Sequence, residues 1–133
     1  GRTPLYVASN EGHVEVTKLI LTVDGVDVNQ GDNDGKTPLY EAADKGHVDI
    51  AKLLIKAGAI VNQAEKDGTS PLYVAADNGH VDLIKVIIEA GGDVNQARTT
   101  FFAISNVSLS LEARITLSVR SLLVEVVIED ICS

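Results

Sequence analysis

Between Val48 and Ile55 the chain carries apolar side chains at positions 48, 50, 51, 53, 54 and 55, a density that coats a helix on nearly every side rather than along one stripe. Matching stretches begin at Val14 and Val81. Ahead of each stands a dozen residues of a second recurring kind: RTPLYVASNEGH at 2–13, KTPLYEAADKGH at 36–47 and TSPLYVAADNGH at 69–80. This alternation predicts two short helices per copy. Thr3, Thr37 and Ser70 suit the N-cap of the first helix, and the proline that follows suits its first turn. Gly12, Gly46 and Gly79 are placed to end it in the left-handed conformation. The second helix is predicted to start near Val14, Val48 and Val81, with Glu15, Asp49 and Asp82 in its positive first turn. Lys18, Lys52 and Lys85, three residues on, are expected to pair with these acids for about 0.2–0.5 kcal/mol each. Gly25, Gly58 and Gly91 close the second helix, and a VNQ segment leads out to turns around Asp34-Gly35 and Asp67-Gly68.

Aligning Gly1–Lys18 with Gly35–Lys52 and Gly68–Lys85 leaves nine positions identical in all three copies: Gly1, Pro4, Leu5, Tyr6, Ala8, Gly12, His13, Val14 and Lys18 with their equivalents. One extra residue near Asp24 makes the first period 34 rather than 33. A lone pair of short helices has no means of hiding an all-round apolar second helix, whereas stacked copies cover one another. Repetition at a fixed period is therefore the organising feature.

The segment GKTPLYEAADKGHVDIAKLLIKAGAIVN at 35–62 resembles the ankyrin repeat, and the resemblance extends over residues 1–97. It implies an all-α solenoid of stacked helix-turn-helix units with hairpin turns, in three repeats of about 1–34, 35–67 and 68–97. The departures are Tyr6, Tyr40 and Tyr73 where the family usually has His, Ser70 for Thr, and Ile60 for Asp, the last placing an apolar side chain at an exposed turn. The resemblance also implies binding of a protein partner through the hairpin tips and the inner face of the first helices. Carried onto positions that vary between copies, the tips are Arg2, Asn33, Lys36, Lys66 and Thr69. Along the first helices they are Val7, Asn10, Glu11, Glu41, Asp44, Lys45, Val74, Asp77 and Asn78. Val7 and Val74 flanking Glu41, Asp44 and Asp77 suggest an apolar and acidic strip. The resemblance further implies that the asparagine of the VN turn can be hydroxylated by an oxygen-dependent hydroxylase. Asn29, with Leu21 and Asp27 before it, resembles that pattern best; Asn62 and Asn95 match less well.

Charge sharpens the partner. The net charge is −8, and the fifteen acidic and eight basic side chains of residues 1–96 account for −7 of it. Such a surface repels phosphate, which disfavours nucleic acid and anionic membranes and favours a basic peptide or protein face. The single cysteine, Cys132, excludes an internal disulfide framework, and no signal pattern opens the chain, so an intracellular monomer in the cytoplasm or nucleus is expected. His13, His47 and His80 recur once per repeat, but stacked helices stand about 10 Å apart, too far for ligands of one metal ion. They are read as turn residues. The acids Asp32, Asp34, Glu65 and Asp67 complete no calcium loop. No nucleophile elbow, phosphate loop or Cys–His pair is present, so neither a catalytic residue, a metal nor a cofactor is expected.

Beyond Gln96 the repeat stops. All eleven glycines and all three prolines precede residue 93. In 107–119, apolar residues alternate with polar ones at period two, the pattern of a strand, though a helix through 98–133 is also drawable. This tail is expected to cap the third repeat, to dock elsewhere, or never to order. The function expected is a protein-binding scaffold; the alternative is a structural segment of a longer array or multidomain protein with no partner of its own.

Overall fold

The computed structural model describes residues 1–98. The predictions made for the tail, including its strand pattern, its capping role and Cys132, lie outside the described residues. Six helices form in order: α1 Pro4–Glu11, α2 Val14–Leu21, α3 Pro38–Lys45, α4 Val48–Lys56, α5 Pro71–Asp77 and α6 Val81–Glu89. Among the described residues there is no strand.

The N-caps follow the sequence closely, but α2 and α5 stop short of the glycines expected to end them: α2 ends at Leu21 with Thr22 as its cap, ahead of Gly25, and α5 ends at Asp77 with Asn78 as its cap, ahead of Gly79. The side-chain oxygens of Thr3, Thr37 and Ser70 accept from the N–H groups of Tyr6, Tyr40 and Tyr73 at 3.0–3.1 Å, and proline occupies the first turn of α1, α3 and α5. Gly12 and Gly46 end α1 and α3 at φ +82° and +80°. A second constraint acts on both: a Cβ added at Gly12 would sit 2.7 Å from the His47 ring, and one at Gly46 3.0 Å from the His80 ring. Of the three expected helix-surface ion pairs, only Glu15–Lys18 closes, at 3.1 Å, among the described residues. Asp49 and Asp82 are one methylene shorter than Glu15 and do not reach Lys52 or Lys85.

First helices stack on first helices, α1 on α3 and α3 on α5, while α2 packs on α4 and α4 on α6. The core runs through Leu5, Leu39, Ile50, Leu54, Leu72, Leu83 and Ile87, with Ala42, Ala43, Ala51 and Ala75 permitting close approach. Each fully buried aliphatic chain contributes about 1.5–3 kcal/mol. Burial is deepest in the middle copy. Helix α4 buries Ile50, Ala51 and Leu54, whereas α2 buries only Thr17. Thr17 and the buried Ser9 are both satisfied, donating to the His13 and Leu5 carbonyls at 2.9 and 2.8 Å.

Candidate functional site

The hairpin tips are built by carboxylates that act inward. Asp32 Oδ1 accepts from the Asp34 and Lys36 N–H groups at 2.9 and 3.0 Å, and Glu65 Oε1 accepts from Asp67 and Thr69. Successive tips are joined when the Lys66 N–H donates to the Asp34 carbonyl at 2.9 Å. Asp32 and Glu65 are thus consumed by the turns they shape. Burial acts to raise the Asp32 carboxyl, but bonds from the Lys36 and Asp34 amides and the Tyr6 hydroxyl outweigh it and hold the group below its ordinary value. No cluster of three or more His, Cys, Asp or Glu side chains suited to a metal occurs among the described residues.

Of the tip positions, Arg2, Asn33 and Lys66 are exposed and Lys36 is half-buried. Arg2 lies over the Tyr6 ring at 5.4 Å and Lys36 over Tyr40 at 5.7 Å, each with its charge on an aromatic face. Thr69 is buried, held in the tip by its own backbone. Along the first helices Glu11, Lys45, Asp77 and Asn78 are exposed, and Asn10 and Asp44 are half-buried. Asn78 Nδ2 donates to Asp44 Oδ1 at 2.8 Å, and Lys45 Nζ lies 3.8 Å from Asp44 Oδ2.

Glu41 and Val74 leave the anticipated strip. Both are buried, at 5% and 7% exposure, because the position they share faces the preceding repeat. Glu41 Oε1 accepts from the Tyr6 hydroxyl at 2.9 Å, and Asp32 Oδ2 stands 3.1 Å from the same oxygen. Burial first, then the bonds and charges of Glu41 and Asp32, push the Tyr6 hydroxyl far above the usual phenol range. Tyr40 is pushed up to about 12 by burial and by the charges of Glu65, Asp44 and Glu41, with Arg98 opposing.

His47, His80, Asn29 and Asn62, at two positions that recur in every copy, prove to be ties between repeats. His47 Nε2 stands 3.2 Å from the Asn10 carbonyl, and His80 Nε2 3.1 Å from the Asp44 carbonyl. A carbonyl only accepts, so both rings carry hydrogen on Nε2. Asn29 Oδ1 accepts from the Ile60 N–H at 2.7 Å while its Nδ2 donates to the Gly58 carbonyl. Asn62 repeats the arrangement with Asp93 and Gly91. Asn95 is exposed. The sequence reading of the histidines as turn residues did not include these bonds between copies.

A family model for ankyrin repeats, in three copies, matches residues 5–98. Among solved structures, the ankyrin repeat domain of human ASB11 is similar, with 31% identity and a TM-score of 0.66 over 79% of this chain. The chain spans 49% of that domain. No curated protein matches.

Proposed function

This chain belongs to the ankyrin-repeat family, and from that premise we propose that residues 1–97 form a protein-binding module, not a catalyst, whose partner presents a basic peptide or protein face. Family members are generally protein-interaction modules; the finer assignment rests on the acidic row of the first helices. Asp44 and Asp77 occupy one register position in successive repeats, and Glu11 lies at the end of α1. Asp77 has no ion-pair partner among the described residues. Arg2, Asn33, Lys36 and Lys66 supply the adjoining tips. A rigid face of this kind lowers the ordering cost of association. The module acts as an intracellular monomer; among the described residues no helix is long and apolar enough to cross a membrane.

Selection of random peptides on the immobilised chain tests this reading. Arginine and lysine should be enriched, and Asp44→Lys with Asp77→Lys should reverse the preference while leaving the circular dichroism unchanged. Enrichment indifferent to both substitutions would sink it. Glu41 is left intact, because a lysine there would bury an unpaired charge. Asn29 remains the candidate for asparaginyl hydroxylation. Its amide is tied to Ile60 and Gly58, so modification requires that loop to open. Asn62 and Asn95 follow it. No mass gain of one oxygen on co-expression with such a hydroxylase would remove the assignment.

A further inference from the structure

Ile60 is exposed for a reason of its own. Val7 and Val16 stand open on the outer face of repeat 1 and Tyr73 on that of repeat 3, at positions where stacking covers Glu41, Ile50 and Tyr40 of repeat 2. Repeat 2 has a neighbour on each side. Ile60, 55% exposed, is the one large apolar side chain it leaves open.

The turn that Ile60 occupies is closed better by another residue. In repeats 1 and 3 the same place holds Asp27 and Asp93, whose Oδ1 atoms accept from the Asn29 and Asn95 N–H groups at 2.9 Å. Ile60 has no oxygen to offer the Asn62 N–H. One residue thus both exposes apolar surface and forgoes a turn-closing bond. Contact with a partner accounts for a side chain that costs the free molecule twice.

The surroundings define that partner. Asn29 accepts from the Ile60 N–H, and Asn62 from the Asp93 N–H, so Asp27, Ile60 and Asp93 follow one another along the edge where the second helices end. Asp27 and Asp93 are exposed, and neither has an ion-pair partner among the described residues. Val23, 59% exposed, adds apolar surface in the turn that leaves α2. The turns 22–30, 56–63 and 89–96 carry four acids and one base.

We propose that this edge docks a peptide segment bearing one large apolar side chain beside lysine or arginine. Ile60 is the apolar anchor, and Asp27 and Asp93 fix the orientation of the basic residues. The edge is distinct from the first-helix face of Asp44 and Asp77.

Random-peptide selection run in parallel on the native chain and on Ile60→Asp tests the edge. The native chain should retain a class of peptides that the variant loses, with leucine, phenylalanine or tryptophan next to lysine or arginine. A member of that class should bind Ile60→Asp at least about tenfold more weakly in a fluorescence titration. The variant regains the turn-closing oxygen of the other copies, so its melting temperature should rise by roughly 2–6 °C. Absence of such a class overturns the proposal, as does equal or tighter binding to Ile60→Asp, the behaviour of a peptide held by charge alone. A lowered melting temperature also overturns it, since Ile60 would then serve packing. Asp27→Asn with Asp93→Asn keeps both turn-closing oxygens and removes two charges. It should weaken the same peptide several-fold and reduce the salt dependence of binding; unchanged affinity defeats the proposal. Asp44→Lys with Asp77→Lys should alter that affinity by no more than about twofold at physiological salt, so the two surfaces fail independently. A larger loss there would assign the peptide to the first-helix face instead. A concentration-dependent dimer of the native chain that Ile60→Asp dissolves would give the edge to a second copy, and that too overturns the proposal.

Discussion

Tyr6 has one hydroxyl proton and two carboxylates within 3.1 Å, so with both ionised it serves one acceptor fully at a time. The buried carboxylate of Glu41 depends on it. Tyr6→Phe should therefore cost about 1–3 kcal/mol, the penalty of a buried group left unpaired. Glu41→Val copies the residue that repeat 3 uses and leaves Tyr6 bonded to Asp32, so it should cost less than Tyr6→Phe. Urea denaturation ranks the two, and the opposite order would refute this account. The same hydroxyl should weaken the fold at alkaline pH. Its folded value is raised above the ordinary 10.0, as is that of Tyr40, so their contribution is complete below about pH 10 and is lost as pH rises beyond it. Tyr6→Phe should flatten that alkaline loss of stability. Glycine separates two effects in a similar way. Gly12 and Gly79 share positive φ, but only Gly12 faces a histidine ring, with open space around Gly79. Gly12→Ala should lower the melting temperature more than Gly79→Ala; equal losses would mean that backbone strain alone matters.

At the scale of elements, the helices have seven to nine residues each, well under the roughly 12–15 needed for a marginal isolated helix. Caps and neighbours supply what propagation does not. The asparagine clamp is the clearest coupling device, since Asn62 spans from the end of repeat 2 to both the Gly91 carbonyl and the Asp93 amide. Asn62→Ala should cost about 1–2 kcal/mol by removing two bonds between copies. Asn95→Ala, at an exposed position, should be close to silent. Paired thermal melts decide between them, and similar losses at both sites would deny the clamp its role.

Across the described molecule, stability is expected to grade from the centre outward. Repeat 2 has a neighbour on each side, and in such stacks the stability is approximately a sum of unit and interface contributions. Hydrogen exchange should find the α4 amides slowest and those of α2 faster, because α4 buries Ile50, Ala51 and Leu54 while Val16 and Leu19 of α2 stay 47% and 70% exposed. Uniform protection would contradict a stack of separable copies. Ion pairs add little at this scale. Glu15–Lys18 sits with side chains 84% and 53% exposed, and such surface pairs contribute little to stability.

Helix starts, the glycine ends of α1 and α3, and the repeat itself were legible in the chain because they are local: a Thr-Pro cap or a Gly-His turn acts on residues within one turn of itself. The solvent-facing Ile60 was legible for the same reason. Contacts between copies were not. Glu41 stands at a position that looks free to vary, and only stacking brings it beneath the Tyr6 hydroxyl, 35 residues away in sequence. The destinations of His47 and Asn62 were hidden likewise, since each bonds a backbone group of another repeat, and backbone groups leave no mark in a sequence. The candidate face was therefore half readable. Sequence singled out the positions that differ between copies, and tertiary packing divided them into those that meet solvent, such as Asp77, and those spent on holding the stack, such as Glu41 and Val74.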